Sequence, residues 1–406
     1  FRGPGCRWPG RAVPAILRSQ SSLKILVISY RDMEHPEAGG AEVIIQEIMG
    51  RLAQAGHAIT MLTGAFRGGA ARARVAGADV HRTGNQFNFN FAAPAYYKRH
   101  LKPLGFDVIV EDVNKIPFFM PMHEPDVPVV AVVPHLFGTT VFQQASIPLA
   151  GYVYLYERFI PLVYKNCFFS VLSESTRDDL IARGLRPDRL RLIHSGMDHG
   201  LYFPDGRKPS ARPPWVAYLG RLKKYKGIDL VIQAMPEVVQ RVPEAVYKIV
   251  GEGDDRPRLE AMTRKLGMQA HVDFTGWISG STKVDLLRNC RILAYTSPKE
   301  GWGLSVIEAG ACAVPVVASN SPGLRESVVD GKTGYLVPHG DVPILANRMI
   351  RLFSDDHLAD RMGAEGIQWA ATFNWDETTR KTLELLQESA AERRTEPGSA
   401  QVMRAG

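Results

Sequence analysis

The segment Ser297-Pro298-Lys299-Glu300-Gly301-Trp302-Gly303-Leu304-Ser305-Val306-Ile307-Glu308-Ala309 places a carboxylate on each side of a glycine-rich turn. The apolar run at residues 291–295 predicts a buried parallel strand before the turn, and the apolar residues after it predict a helix. A strand, a glycine turn and a helix in this order direct free backbone N–H groups at a ligand above the strand end. The segment therefore predicts a phosphate site with Glu300 and Glu308 available to bind hydroxyl groups, which indicates a nucleotide sugar.

Short, β-branched and continuously apolar segments alternate with helical segments on both sides of this turn, as in parallel sheets buried on both faces. Helices are predicted between the strands, for example at residues 41–55 and 228–241, where apolar residues recur every three or four positions. The predicted strands cover residues 24–30, 58–63, 107–111, 127–133, 168–172, 191–194, 215–219, 245–250, 272–275, 292–296, 314–318 and 334–337.

The length of 406 residues exceeds one ordinary hydrophobic core and predicts two domains. The predicted fold class is α/β, with two doubly wound, Rossmann-like domains facing each other across a cleft. The predicted order is a disordered leader at 1–22, an N-terminal acceptor-side domain at 23–205, a Pro- and Gly-rich linker at 206–214, a C-terminal nucleotide-sugar domain at 215–372, a helix at 373–388 that packs back on the N-terminal domain, and a disordered tail at 389–406.

Composition excludes several classes of protein. Apolar residues make up 45% of the chain and charged residues 22%, as in soluble globular proteins. No apolar run reaches the roughly 18 residues of a membrane span. Four scattered cysteines without a CxxC pair favour a reducing, cytoplasmic location. The net charge of +7 is spread along the chain, which argues against nucleic-acid binding.

Two further loops follow predicted strands. Gly39 and Gly40 open a helix, where paired glycines let a ligand approach the backbone, although a simple tight turn explains them too. Arg221 and Lys226 follow the first strand of the second domain, where open α/β sheets place ligands, and two cations there suit a diphosphate. A solvated basic loop is the alternative. The absence of GxGxxG after either strand disfavours a dehydrogenase.

The second predicted domain contains the segments Gly220-Arg221-Leu222, Lys226-Gly227, Val250-Gly251-Glu252-Gly253 and Phe274-Thr275-Gly276-Trp277-Ile278, and the Glu300/Glu308 pair. Taken together, these segments resemble the GT-B glycosyltransferases of family four, the glycosyl transferases group 1. The resemblance implies that Glu300 contacts the transferred sugar and Glu308 the ribose. The donor-binding residues it implies are Gly39, Gly40, Arg221, Lys226, Glu252, Trp277, Ile278, Glu300, Gly303, Leu304, Ser305 and Glu308. Arg221 and Lys226 would offset the charge of the leaving diphosphate and count as catalytic with Glu300.

The resemblance also points to His135, which matches a family histidine near the sugar and is predicted to be catalytic and to contact the acceptor. A buried, hydrogen-bonded histidine is the alternative. Asn114 is placed where an acceptor could bind, with a packing loop as the alternative, and Asp198 is interpreted as support for the hinge. His194 and His199 lack a third ligand, so neither a metal nor another cofactor is expected.

The predicted activity is therefore retaining transfer of a hexosyl unit from a UDP- or GDP-sugar to an acceptor hydroxyl of a glycan, lipid-linked or small molecule. Another GT-B enzyme, such as an epimerase or phosphorylase, and a non-catalytic sugar-nucleotide-binding protein remain as alternatives. Residues 137–164 are aromatic and apolar, with Arg158 and Lys165 near one end, as in a membrane-interfacial surface. Packing inside the domain explains them equally well, and the equal numbers of cations and acids in residues 23–205 predict weak or no membrane contact.

Overall fold

The computed structural model describes residues 22–114, 116–143, 146–278 and 280–395. They form two compact units, which we call the N-terminal and C-terminal units. The C-terminal unit is Met197–Asn374, and the N-terminal unit joins the residues up to Gly196 with those from Trp375 onward. Residues 1–21 of the predicted leader at 1–22, and residues 396–406 of the predicted tail, lie outside the described residues.

The N-terminal unit contains an eight-stranded sheet with helices packed against it. Its strands are β1 Lys24–Ile28, β2 Ala58–Gly64, β3 Arg72–Val75, β4 Ala78–Thr83, β5 Val108–Asp112, β6 Val129–Val133, β7 Phe168–Val171 and β8 Leu190–Leu192. Its helices are α1 Gly40–Gln54, α2 Phe89–Tyr96, α3 Met120–His123, α4 Ile147–Arg158, α5 Ile160–Val163, α6 Glu174–Ala182 and, from the end of the chain, α14 Trp375–Thr395.

The C-terminal unit contains a six-stranded sheet. Its strands are β9 Trp215–Leu219, β10 Val246–Val250, β11 Val272–Gly276, β12 Ile292–Tyr295, β13 Val316–Ser319 and β14 Gly334–Val337. Its helices are α7 Ile228–Arg241, α8 Arg256–Lys265, α9 Gly280–Asn289, α10 Leu304–Ala311, α11 Leu324–Ser327, α12 Val342–Ser354 and α13 Asp356–Ala371.

The strand order shows that both units are doubly wound. In the C-terminal unit the order is β11-β10-β9-β12-β13-β14, and every pairing is parallel. The N-terminal sheet has the order β3-β4-β2-β1-β5-β6-β7-β8. Both sheets reverse direction beside their first strand, and ligands of such sheets bind at the carboxyl ends of the strands at that point. In the C-terminal unit that point lies between β9 and β12, whose following loops carry Lys226 and Glu300.

A β-hairpin in the N-terminal unit was absent from the sequence prediction. Strand β3 pairs antiparallel with β4, and Ala76 and Gly77 between them have positive φ angles of 49° and 88°. Two positive φ angles define the tight two-residue turn that suits hairpins. Ala-Gly lacks the Asn-Gly or Asp-Gly signature of this turn, and buried residues of the hairpin alternate with exposed or half-exposed ones, so the search for apolar runs missed it.

The predicted linker at 206–214 is wrong, because these residues are part of the C-terminal unit. The buried Arg212 donates hydrogen bonds to the backbone carbonyls of Cys290 at 3.3 Å and Cys312 at 2.9 Å. Ser210 binds Asp360 on α13 through both its backbone N–H and its hydroxyl. The chain instead passes between the units at Gly196–Met197, nine residues before the predicted end of the N-terminal domain at 205.

The predicted tail boundary at Ser389 is also wrong, because helix α14 runs to Thr395. Ser389 and Ala390 are buried, and Arg191 and Glu388 form an ion pair at 2.8 Å that ties this part of α14 to the end of the N-terminal sheet. The apolar face of α14 therefore extends past the predicted end of the helix. Helix α14 contacts α1 and strands β5, β6 and β7, all in the N-terminal unit.

Candidate active site

The loops at the carboxyl edge of the C-terminal sheet pack backbone against backbone. Gly227 begins α7 with a φ of 67°, and a Cβ placed there would lie 2.3 Å from the carbonyl oxygen of Thr296. The Thr296 hydroxyl donates a 2.7 Å hydrogen bond to the carbonyl of Gly227. This contact brings the loop that carries Lys226 against the loop that carries Glu300.

Gly251, the residue after β10, is another position that requires glycine. Its φ is 129°, and an added Cβ would lie 1.9 Å from the carbonyl oxygen of Gly220. We expect Gly251→Ala to lower the free energy of unfolding by about 3 kcal/mol, through strain and displacement of the loop that carries Arg221. Gly267→Ala is the matched control, because Gly267 also has a positive φ but no atom lies within 4 Å of its Cβ position. For Gly267→Ala we expect a loss of about 1–2 kcal/mol in the free energy of unfolding. Equal losses for the two variants, measured by chemical denaturation, would contradict the close-packing argument.

The buried ion pair of Lys226 and Glu300 occupies the strand-order reversal. The Lys226 ammonium lies 2.6 Å from Glu300 Oε1, and the two side chains are only 10% and 13% exposed. The ammonium also lies 5.0 Å from the ring centre of Tyr225 and 5.8 Å from that of Tyr295. The structure thus brings together two residues that lie 74 positions apart in the sequence.

The surroundings of Lys226 keep it charged. Burial by itself lowers its pKa, but the Glu300 carboxylate and the neighbouring Tyr295 and Tyr225 more than offset that effect, so the net pKa of Lys226 is raised. A lysine that stays protonated in a buried setting provides a fixed positive charge for an anionic group.

The N-terminus of α10 lies in the same loop as Glu300. Gly303 precedes the helix with a φ of 98°, and its cap position makes no side-chain hydrogen bond. Residues Leu304 and Ser305 form the first turn, where backbone N–H groups lack partners within the helix. The helix start, together with the buried cation, provides the electrostatics that a phosphate requires.

Glu308 on α10 is paired with a residue that sequence reasoning missed, Lys283 on α9. The two side chains form a salt bridge and are 14% and 13% exposed. Burial raises the pKa of Glu308, but Lys283 and a hydrogen bond from Tyr202 outweigh it, so the net pKa is lowered. Glu308 is therefore held ionised and can accept hydrogen bonds from hydroxyl groups. Lys283 follows Trp277 and Ile278, two of the predicted donor-binding residues, by only a few positions, but a lone lysine in a polar helix gave no signal in the sequence.

This pair predicts a pH effect. Wild-type Glu308 stays ionised below the usual glutamate pKa of about 4.3, so nucleotide affinity should be constant through mildly acidic pH. Lys283→Gln removes the ammonium that lowers the pKa of Glu308, so the effect of burial, which raises that pKa, dominates. As the pH is lowered, the variant should therefore lose nucleotide affinity at a higher pH than the wild type does. We expect affinity for the nucleoside diphosphate about tenfold weaker in mildly acidic buffer, measured by calorimetry. Lys265→Gln, an exposed position on α8, is the control, and coinciding pH profiles for all three proteins would contradict the role of Lys283.

The other predicted donor residues of the C-terminal unit are more exposed. Arg221 is exposed and forms no ion pair within the described part of the chain. Glu252 accepts a 2.9 Å hydrogen bond from Arg256, one helical turn away on α8. Trp277 is 53% exposed and Ile278 half-buried. These positions leave Arg221 and Trp277 accessible to a ligand.

In the N-terminal unit, Gly39 and Gly40 stand at the start of α1. The backbone N–H of Gly39 donates a 2.6 Å hydrogen bond to the buried carboxylate of Glu42. The preceding loop is fixed by Asp32, which binds the guanidinium of Arg82 at 2.7 Å with both side chains 1% exposed. Neither of these buried partners was identified from the sequence. They give the glycine loop a defined conformation.

Two buried glutamates, also missed in the sequence, hold the loops that carry His135 and Asn114. Glu157 on α4 accepts hydrogen bonds from the backbone N–H groups of Phe137 at 2.7 Å and Gly138 at 2.9 Å. The rings of His135 and Phe137 lie 5.0 Å apart, and His135 is half-buried. Glu157 thus fixes the loop that begins at His135.

Glu111 performs the same task next to Asn114. It accepts hydrogen bonds from the N–H groups of Phe118 at 2.7 Å and Met120 at 3.2 Å, and from the hydroxyl of Tyr164. Burial raises the pKa of Glu111 to about 7, and these hydrogen bonds limit the rise. Asn114 itself is half-buried.

The two histidines considered as metal ligands have structural partners instead. The ring of His194 lies 2.8 Å from the carbonyl oxygen of Leu172, and the ring of His199 lies 2.8 Å from that of Phe373. Asp198 accepts a hydrogen bond from the N–H of Gly200 at 3.0 Å, which shapes its own turn. Within the described ranges, no three His, Cys, Asp or Glu side chains are grouped as metal ligands. Metal independence stays a prediction.

Two doubly wound units built mainly of parallel strands are typical of the GT-B class of glycosyltransferases. The profile of the family described as "Glycosyl transferases group 1" matches residues 205–369, and that of "Glycosyltransferase Family 4" matches residues 38–201. The chain belongs to glycosyltransferase family four, as the motifs around Glu300 and Glu308 predicted.

Relatives with known names agree with this assignment. The chain is 36% identical over 217 residues to a GDP-mannose-dependent alpha-(1-6)-phosphatidylinositol monomannoside mannosyltransferase of Mycolicibacterium smegmatis, covering 48% of this chain and 56% of the relative. It is 29% identical over 216 residues to a D-inositol 3-phosphate glycosyltransferase of Kribbella flavida, covering 49% and 51%. The chain thus matches only about half the length of these relatives.

Solved structures share the fold. Sucrose-phosphate synthase from Thermosynechococcus elongatus superimposes with a TM-score of 0.76 at 23% identity, covering 91% of this chain and 100% of that one. HepE from Anabaena, in complex with UDP and glucose, gives a TM-score of 0.74 at 20% identity, covering 90% and 100%. These similarities confirm the predicted GT-B fold class. None of the described helices is long and apolar enough to cross a membrane.

Proposed function

We propose that this chain is a retaining glycosyltransferase that moves a hexosyl unit from a nucleoside diphosphate sugar to an acceptor hydroxyl, in glycan, glycolipid or polysaccharide biosynthesis. The observation that carries the proposal is the buried Lys226–Glu300 pair, which lies in the loops at the strand-order reversal, with the uncapped start of α10 following in the loop that carries Glu300. Its location matches where doubly wound sheets bind nucleotides. The family assignment indicates that the chemistry at this position is glycosyl transfer.

In the proposed donor complex, the diphosphate binds the backbone N–H groups of residues 303–305 and the cations Arg221 and Lys226. Glu308 accepts hydrogen bonds from the ribose hydroxyls, and Glu300 contacts the sugar. Trp277 and Ile278 face the base. Asn114 and His135 of the N-terminal unit are the proposed acceptor contacts.

In the proposed reaction, the acceptor oxygen bonds to the anomeric carbon as the bond from that carbon to the phosphate oxygen breaks. The acceptor proton moves to the leaving phosphate oxygen, so a nucleoside diphosphate and a glycoside with retained configuration result. Negative charge grows on the diphosphate as its bond to the sugar breaks, and the fixed charges of Lys226 and Arg221 stabilise it. We propose that these cations replace a metal ion, so activity should survive a chelator.

The donor to test first is GDP-mannose, because the 36% identical relative from Mycolicibacterium smegmatis depends on it by name. UDP-glucose is the second candidate, since HepE, which shares the fold, has been solved in complex with UDP and glucose. A cytoplasmic location stays a prediction.

Donor hydrolysis and transfer test the proposed function. Purified protein is incubated with each nucleotide sugar, with and without a simple glycoside or inositol acceptor, and released nucleoside diphosphate is measured. We expect slow release without acceptor, faster release with it, and a product whose anomeric configuration by NMR equals that of the donor. Inversion would contradict the retaining mechanism, and no release from any donor would favour a non-catalytic nucleotide-binding protein.

A further inference from the structure

A row of apolar side chains is exposed along helices α4 and α5 of the N-terminal unit. Ile147 is 79% exposed, Leu155 52%, Phe159 43% and Leu162 67%. Their spacing places them on one side of the helical segment, together with two exposed cations. This surface, called the α4–α5 face, consists of Ile147, Leu155, Arg158, Phe159, Leu162 and Lys165.

The fold does not need this face for its own packing. The opposite side of the same segment is already buried in the unit and includes Ala150, Val153, Glu157, Ile160 and Tyr164. The segment therefore has apolar side chains on two sides: one side is packed in the unit, and the second apolar row is left uncovered. Rows of this kind on soluble domains mark interaction sites.

The charges on the α4–α5 face have one sign. Arg158 and Lys165 are exposed and form no ion pair in the described part of the chain. Glu157, the only acid in residues 134–172, is buried and accepts hydrogen bonds from backbone N–H groups. A partner for this face must therefore supply both an apolar layer and anions.

The neighbouring surface has the same character. Asn90 on α2 donates a 2.8 Å hydrogen bond to the hydroxyl of Tyr152 on α4, so the two helices adjoin. Phe91, the next residue on α2, is 62% exposed, and residues 84–105 contain no acid but include the exposed Lys98 and Arg99. Residues 23–205 thus have zero net charge, but cations without neighbouring acids in sequence are concentrated around this surface.

We propose that the α4–α5 face docks on an anionic lipid bilayer, with α4 and α5 parallel to the membrane plane. Phe159 and Leu162 enter the boundary between headgroups and acyl chains, and Arg158 and Lys165 contact lipid phosphates. A second copy of the chain is a poorer occupant, because a symmetric contact would bring the cations of both copies together without an acid between them. This docking is independent of donor binding, and it differs from the weak or absent membrane contact that the zero net charge of residues 23–205 predicts.

Vesicle flotation tests the proposal. The full chain is mixed with vesicles of phosphatidylcholine alone or of equal parts phosphatidylcholine and phosphatidylglycerol, and the floated fraction is measured. We expect flotation with the anionic vesicles and little with the neutral ones. The triple substitution Leu155→Ser, Phe159→Ser, Leu162→Ser should lower partitioning by about tenfold or more. Arg158→Gln with Lys165→Gln should also lower it by about tenfold or more, because each surface cation contributes roughly fivefold.

The control carries the same kinds of substitution on the C-terminal unit, Ile344→Ser with Lys332→Gln, and should float as the wild type does. Because all these side chains are exposed, melting temperatures should be unchanged. Wild-type protein that stays with the unbound fraction, or variants that float equally well, would overturn the proposal. The proposal would also be overturned if the wild type is a dimer by light scattering, the triple variant is a monomer, and neither protein binds vesicles.

Discussion

Lys226→Met is expected to lower turnover by about 10²–10³-fold. The ammonium of Lys226 is the buried positive charge of the C-terminal site, and the pKa-raising effect of Glu300 keeps it protonated. The substitution removes this charge where negative charge grows in the proposed transition state, while the methionine side chain fills a similar volume. The measurement is the rate of nucleoside diphosphate release at saturating donor and acceptor.

Lys223→Met is the matched control for this prediction. Lys223 lies in the same loop but is 38% exposed and pairs with Asp254, itself 71% exposed, at 2.8 Å. Exposed pairs of this kind contribute little, so turnover should stay within about twofold of wild type. If both lysine variants lose activity equally, general charge of the loop rather than the buried ammonium is responsible.

Glu300→Ala has the second large effect, and it acts on both activity and stability. Turnover should fall at least about tenfold, because the proposed sugar contact is lost. The variant also leaves the buried Lys226 ammonium without its carboxylate, which costs about 3–5 kcal/mol of stability. Calorimetric unfolding and turnover, measured on the same preparations, give both quantities.

A double variant separates these two roles of Glu300. Replacing the pair by apolar residues, Lys226→Met with Glu300→Leu, removes the unpaired charge and should restore most of the stability. Activity should remain as low as in the less active single variant. Restored activity in the double variant would show that the pair acts only in folding. Near-wild-type turnover in both Lys226→Met and Glu300→Ala would contradict the assignment of the site.

The fold and the glycine turn before α10 were largely predictable, because both depend on local sequence. Parallel strands buried on both faces give continuous apolar runs, and all twelve predicted strands are present with small shifts at their ends. The glycine turn before α10 was visible because a positive φ restricts the residue types that fit. The pairing of Lys226 with Glu300 depends on the order of the strands in the sheet. That order cannot be deduced from which residues are neighbours in the sequence.

The features that the sequence did not predict are those that depend on tertiary contacts. Lys283, Glu157 and Glu111 contact partners that are distant in sequence, such as Tyr164 for Glu111, and nothing in their local sequence distinguishes a buried, paired charge from a solvated one. The predicted linker failed for the same reason. A stretch rich in Pro and Gly is typical of a flexible linker, yet Arg212 within it is anchored by carbonyl groups more than 70 residues away.

A thermal-shift panel of UDP-, GDP- and ADP-sugars tests the proposed nucleotide site most directly. One nucleotide family should raise the melting temperature, with a stabilisation of about 2.7 kcal/mol at 100 times its dissociation constant. The shift should be lost in Glu308→Ala and kept in Lys223→Met. No shift with any nucleotide sugar, or an undiminished shift in Glu308→Ala, would contradict a donor site at the start of α10.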